Sequence, residues 1–344
     1  MTPQLSAISL LLLVACSRQV TAPAATGTTT ATPVAGPTAV LRVVNVSSGS
    51  QLTSALANAQ PGDSIVMADG TYSGRFVMAV NGTAANRIIL QGSRNAILDG
   101  GSTTTGYVLH LQAAWCTVRG FTVRNGLKGI MTDGVTHNLI DSVRIYNIGE
   151  EGIHLRSFSS YNTIQRCEVS STGLKTPDYG EGVYMGSAKN NWGTYTGGNP
   201  DTSNYNQVLN NHIGPNVAAE CIDVKEGTTG GLIRGNYFDA TGITGANSGD
   251  SWIDVKGNYY SIDANTGYNP SGSVLTDGYQ VHCAYSGWGS YNVFTNNVCT
   301  VNAPGYGFNI QLSGSNGTTT GNKVYTNNTV TGAAKGVSNI SLSN

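Results

Sequence analysis

A chain of 344 residues with 18 Lys and Arg against 19 Asp and Glu, and only 11% charged residues, has no basic surface to offer nucleic acid. Its 45 glycines, with abundant Thr, Ser and Asn and few helix formers beyond the N-terminus, exclude a helical bundle and argue an all-β protein rich in turns. Nothing after the N-terminal region reads as a linker, so one elongated repeat domain fits better than two globules.

The apolar run AISLLLLVAC is too short to span a bilayer and ends in Leu13-Val14-Ala15-Cys16. That grammar is a bacterial lipoprotein signal over residues 1–16, with Cys16 the lipidated first residue of an exported mature protein; an ordinary secretory signal is the alternative, since MTPQLS supplies no Lys or Arg. Residues 17–40 read as a flexible Thr/Ala/Pro tether, which leaves the lipid as the sole expected membrane attachment. The repeat domain then occupies 41–344, with a monomer expected. Residues 51–59 read as a short amphipathic helix that caps its N-terminal end, because an open solenoid exposes strand edges, and PGD turns the chain into the first strands. The C-terminal AAKGVSNISLSN has no evident cap. Cys116, Cys167, Cys221, Cys283 and Cys299 show no CxxC spacing and an odd count, so they read as buried small apolar side chains rather than a zinc site.

Short apolar strands recur: GIMT (129–132), GIHL (152–155), GVYM (182–185), CIDV (221–224), WIDV (252–255), GYQV (278–281) and GFNI (307–310). Their anchors Ile130, Ile153, Val183, Ile222, Ile253, Tyr279 and Phe308 are spaced by 23, 30, 39, 31, 26 and 29 residues, the period of stacked coils. The longest gap holds the polar stretch 186–205, read as an insertion on one coil. A second set, from VRGFTV to YTNNTV, aligns Phe121, Val143, Cys167, Asn211, Asn236, Asn265, Asn297 and Asn328 in its fourth column. Carboxamides stacked about 4.8 Å apart can hydrogen-bond up the column at an inner turn, a structural role. Apolar strands, turn glycines and the Asn column together predict a single-stranded right-handed parallel β-helix.

Side chains alternate across a strand, so if Ile222 and Val224 face the core, Asp223 and Lys225 face out. Two outward columns follow: His154, Tyr184, Asp223, Asp254, Gln280, Asn309, and Arg156, Gly186, Lys225, Lys256, His282, Gln311. Glu151, Glu181, Glu220, Asp250 and Asp277 lie just before these strands. Most of the chain's rare charges thus gather on one solvent-facing side of the middle coils. Lys225 beside Lys256 is expected to lower one lysine's pKa, making a base near neutral pH. Asp223, Asp254 and Glu220 form an acidic cluster suited to Ca²⁺. The alternative is a neutralising lattice of diagonal ion pairs, Asp223 with Lys256 and Asp254 with Lys225.

SQLTSALANAQPGDSIVMADGTY with NGTAANRIILQG resembles the N-terminal cap and first coils of the chondroitinase B and alginate lyase family of polysaccharide lyases, which are β-helices. ECIDVKEGTTGGLIRGNYF (220–238) is similar to that family's acid followed five residues later by lysine. The resemblance implies elimination from an acidic, uronate-containing polysaccharide, with Lys225 taking the C5 proton and Glu220 a ligand of Ca²⁺. The family's other acid, two residues earlier, is Ala218 here, its next-coil arginine is replaced by Lys256, and Asp223 or Asp254 stands in at the metal. Elimination also needs a proton for the leaving oxygen, a role open to Tyr184, His154 or His282. Arg156 suits a carboxylate clamp, and Trp192, Tyr195 and Trp288, in polar Gly-rich loops, suit sugar platforms or packing over the coil.

Two other readings stay open. A glycoside hydrolase would use Asp223 and Asp254 as its carboxylate pair, although the Asp-Asp and Gly-His-Gly motifs of polygalacturonase-like helices are absent. SWIDVK lacks the His of the WIDH stretch of pectate lyases, and no RxPxxR follows. A non-catalytic glycan-binding surface protein is compatible with the same fold.

Overall fold

The computed structural model describes residues 40–344; the signal segment, Cys16 and the tether up to residue 39 lie outside the described residues. Three long sheets wrap one core. Nine strands run from Phe76–Met78 to Phe308–Ile310, eleven from Arg42–Val46 to Lys323–Val324, and ten from Gly70–Ser73 to Thr329–Ala333. A complete coil contributes one strand to each sheet, as in Ile222–Val224, Leu232–Arg234 and Tyr237–Asp239. Neighbouring strands are parallel and belong to successive coils, so the chain is a parallel β-helix. The expected register holds: Ile130 pairs Ile153, Ile153 pairs Val183, Val183 pairs Ile222, and Ile222 pairs Ile253. All seven anchors are fully buried.

Burial is tuned between coils. Trp252 is wholly buried, and a Cβ on Gly267 would sit 2.4 Å from its ring. The glycine occupies an inward position filled by Phe238 on the preceding coil, which is how one layer accepts an indole without strain.

The Asn column is a ladder. Asn211 Nδ2 donates to Asn236 Oδ1 (2.9 Å), Asn236 to Asn265 (2.9 Å), Asn265 to Asn297 (3.0 Å) and Asn297 to Asn328 (2.9 Å). A second one, unread in the sequence, joins Asn138, Asn162 and Asn206 at the corner entering the eleven-stranded sheet.

The capping helix spans Gly49–Ala57, two residues earlier than expected, because Ser48 caps it by accepting from Gln51 N. Asn58 Nδ2 closes its end on the Ser54 carbonyl, ahead of Pro61. Leu52 and Leu56, one turn apart, are buried against the first coil. The far end is covered by the C-terminal tail: Phe308 bridges Ser338, Tyr325 bridges Ser343, and Ile310 N donates to Asn339 Oδ1. The five cysteines are free and buried, and burial pushes the Cys116 thiol up to about 11.

Candidate active site

The nine-stranded sheet carries His154, Tyr184, Asp223 and Asp254 on its outer face, with Glu220, Lys225, Lys256 and His282 just beyond its strands. Asp223 pairs with Tyr184 on the coil before and Asp254 on the coil after, and Gln280 follows. They do not face open solvent as expected. Asp223 is 1% exposed, Asp254 and His154 5% and Tyr184 8%. Asp223 and Asp254 lie under the side chains of Lys225 and Lys256, and loop residues Tyr179, Ser187, Asn191 and Tyr195 join Lys128, His154, Arg156 and Tyr184 in lining a pocket of about 280 Å³.

At the centre, both lysines converge on one carboxylate. Lys256 Nζ lies 2.8 Å from Asp223 Oδ1 and 2.6 Å from Asp254 Oδ2, and Lys225 Nζ contacts Asp223 Oδ2. Of the expected diagonal pairs, Asp223 with Lys256 forms; Asp254 turns instead to Lys256 and to His282 Nδ1 at 2.8 Å. The expected drop in a lysine pKa is also overturned. Burial works against the charge on Lys225, but Asp223, Glu181 and Glu220 outweigh it and push its pKa up; for Lys256, Asp223 and Asp254 do the same. The adjacent acids outnumber the repulsion between the two ammoniums. Lys225 Nζ stands 4.9 Å from the centre of the Tyr184 ring, whose phenol is pushed well up by burial and by Asp223, Glu181 and Glu151.

Three carboxylates meet beside the lysines: Glu181, Glu220 and Asp223 offer oxygens within 4.8 Å of one another. Glu181 Oε2 is buried without a hydrogen-bond partner. Burial first, then the neighbouring carboxylates, pushes Glu220 up to about 8 and Glu181 well above its ordinary range. Asp254 stands outside this trio. Although burial opposes its charge, Lys256 and His282 hold it well below the usual carboxylate range.

Toward the N-terminal coils, His154 packs edge-on to Tyr184 at 4.4 Å, donates from Nε2 to the Gly186 carbonyl (2.9 Å) and places Nδ1 3.2 Å from Glu151. Lys128 bridges Glu150 and Glu151. Arg156 is gripped by Asp133 through Nε (2.7 Å) and Nη2 (3.2 Å) and by the Tyr107 hydroxyl (3.1 Å), with Tyr195 stacked 4.0 Å from its guanidinium. Trp192 is not an open platform: it is buried, its indole N–H bonds to the Ser187 carbonyl, and it packs edge-on to Tyr285. Trp288 is half-buried in the loop that carries Tyr285.

With this geometry, the comparisons with known proteins fall into place. Residues 43–176 match the family model described as Pel9A-like, right handed beta helix region. The crystal structure of alginate lyase from Paenibacillus sp. str. FPU-7 superposes with a TM-score of 0.77 at 40% identity, covering 84% of this chain and 97% of that one. The chain belongs to the β-helical polysaccharide lyases. Pectate lyase Pel9A shares the fold at a TM-score of 0.65 and 12% identity, covering 88% of this lyase and 80% of that chain. A PL6 family polysaccharide lyase from Pseudopedobacter saltans does so at 0.51 and 16%, covering 77% and 65%. No curated protein matches the sequence of the lyase.

The trio in this lyase fits a divalent cation. Lys225 and Lys256 both contact Asp223, while Glu181 and Glu220 form no ion pair among the described residues, and an all-oxygen set with an orphaned buried carboxylate oxygen is the chemistry of a hard cation. Glu181 was visible in the sequence as one of the acids preceding the groove strands; what was hidden is that its side chain turns to Glu220 rather than to solvent. Lys128, Tyr179 and Asn191 carried no periodic signal at all.

Proposed function

We propose that the lyase cleaves a polyuronate, with alginate the first candidate, by β-elimination in which Lys225 is the base and Tyr184 the proton donor. The observation that carries this reading is the Lys225–Tyr184 contact over a floor of paired acids, in a chain 40% identical to an alginate lyase. Asp223 and Asp254, the pair a hydrolase would use, are both engaged by ammonium groups, which disfavours that alternative.

Elimination removes the C5 proton, forms the C4–C5 double bond and breaks the bond from C4 to the leaving oxygen. The C5 proton passes to Lys225 Nζ, and the Tyr184 hydroxyl gives its proton to the leaving oxygen, which restores electrical balance across the site. Tyr184 suits donation because burial and its acidic neighbours keep the phenol protonated. Lys225 needs its proton released before it can accept another. If a divalent cation were bound, Glu181, Glu220 and Asp223 would hold it, and it would supply positive charge against the substrate carboxylate. Burial is the influence on Lys225 that favours the neutral amine. Arg156 and His154 orient the neighbouring sugar, and Lys256 and His282 hold Asp254 and Asp223 in place.

Absorbance of the unsaturated uronide product tests this, across alginate, pectate and glycosaminoglycans, with Ca²⁺ and with chelator. Reducing ends without new absorbance would replace the lyase reading with hydrolysis. Export and acylation at Cys16 belong to the same proposal, and mass spectrometry of the mature N-terminus decides them.

A further inference from the structure

We propose that Asp201, which lies outside the catalytic constellation, is a positioning residue for substrate recognition: it locks the loop over 186–206, between the strands Val183–Met185 and Gln207–Leu209, and the backbone following Arg156 into one unit, fixing the Arg156–Tyr195 pair. The inference rests on the functional reading above, since it concerns how the same groove holds the sugar on the N-terminal side of Lys225.

Asp201 is fully buried, and its four partners are all neutral donors. Oδ1 accepts from Phe158 N (2.9 Å) and Ser203 Oγ (2.7 Å). Oδ2 accepts from Ser157 N (2.9 Å) and Ser187 Oγ (2.7 Å). A carboxylate without a cation is tolerated in such a place only when its lone pairs are met in this way.

The identity of the donors gives the arrangement its meaning. Ser157 and Phe158 immediately follow Arg156, and both adopt left-handed backbone, φ 56° and 71°. L-residues avoid that conformation, and here the two consecutive N–H groups both donate to the Asp201 carboxylate. The Asp201 carboxylate thereby stabilises the turn that follows Arg156. Ser187 opens the insertion and Asp201 lies near its close, so the hydroxyl–carboxylate bond ties the loop at its base. Between these two residues lies Tyr195, stacked 4.0 Å from the Arg156 guanidinium. One side chain thereby fixes both partners of the pair, on a floor that also holds His154. The 186–206 segment is on this view a fixed wall rather than an ornament of one coil.

The test compares wild type with Asp201→Asn, which keeps the shape but replaces an acceptor oxygen by a donor. On the polyuronate that the wild type cleaves, KM should rise about tenfold with kcat within about twofold, because recognition and not chemistry is disturbed. Hydrogen exchange at the Ser157 and Phe158 amides and across 186–206 should accelerate at least tenfold in the absence of substrate, by loss of local protection. Unchanged kinetics with lowered thermal stability would make Asp201 a simple brace and overturn the proposal, as would a fall in kcat at constant KM. Unchanged exchange in the loop overturns it equally. If Asp201→Asn does not fold, Ser187→Ala removes one bond at the loop base and should give the same pattern more weakly; unchanged KM and exchange there overturn the proposal. A wild type inactive on every polyuronate sinks the functional reading instead, and the exchange measurement still decides whether Asp201 locks the loop.

Discussion

Lys256 reaches back across one coil to Asp223, Nζ to Oδ1 at 2.8 Å, while also holding Asp254 on its own coil at 2.6 Å. The repeated Ile-Asp-Val-Lys motif is thus a cross-coil lattice in which Asp223 accepts from both lysines and Asp254 from one. The register forces this: Asp223 and Asp254 pair directly, and each Lys follows two residues later on the same face.

Replacing Lys256 by Met should therefore destabilise the protein by about 3 kcal/mol, because breaking a buried pair strands the partner charge. Asp254 keeps only His282, and Asp223 only Lys225. Urea unfolding measures this as a lower midpoint at unchanged slope. A variant as stable as wild type would mean that the lattice contributes nothing beyond the packing of the lysine stem.

The lattice also marks where sequence reading stops. Strand register was legible at Ile222 and Ile253 because period-two alternation and coil spacing admit one solution. The Asn ladder was legible because like residues recur at a fixed corner. The sign of the lysine pKa shifts was not, since a column shows like neighbours, Lys225 and Lys256, but not the convergence of Asp223, Glu181 and Glu220 upon them. Burial of the outward columns was equally hidden. For His154, Arg156 and Tyr184 it depends on the 186–205 insertion and the loop of Tyr179, which obey no repeat. Trp192 stayed open between sugar platform and packing for the same reason: a polar, Gly-rich neighbourhood does not reveal that an indole folds under its own loop.

Calcium should stabilise the protein more as pH rises. Burial raises Glu220 to about 8 and Glu181 well above its ordinary range, so both fold preferentially as neutral acids. For a raised pKa, the associated stability is complete below the unfolded carboxyl value and is lost as pH climbs through the folded one. For Glu220 that window runs from about 4.5 to about 8. A cation bound by the ionised trio would release the protons and reverse the loss. Melting temperatures in chelator should fall from pH 6 to 9, and the Ca²⁺ increment should grow over the same range and shrink in Glu181→Gln. A Ca²⁺ increment independent of pH, or none, would leave the trio a proton-sharing cluster.

A buried member of the Asn ladder should matter far more to stability than an exposed asparagine beside the ladder. Asn265 Oδ1 accepts from both Asn236 N (3.0 Å) and Asn236 Nδ2 (2.9 Å). Asn265→Leu leaves these two buried donors unmet and should cost about 3 kcal/mol. Asn327, exposed at the neighbouring turn position and accepting from Asn296 N, should cost less than about 0.5 kcal/mol when changed to Leu. Chemical denaturation of the two variants compares them directly, and equal losses would place the stability of the corner elsewhere.

Base and acid can be separated by the leaving group. Lys225→Ala and Tyr184→Phe should each lower kcat by about 10²–10⁴, the usual span for a lost proton-transfer group. The two losses differ in kind. Protonation of the leaving oxygen matters less as that oxygen becomes a better leaving group, so a synthetic uronide with an activated aryl oxygen at C4 should recover most of the Tyr184→Phe deficit. The same substrate still needs its C5 proton removed, and Lys225→Ala should stay inactive on it, while small primary amines added to the buffer should restore part of its turnover by entering the space left by the side chain. The opposite pattern, with the aryl substrate rescuing Lys225→Ala and amines doing nothing, would exchange the two roles: Tyr184 would then work as a phenolate base, and Lys225, kept charged by Asp223, Glu181 and Glu220, would be the donor.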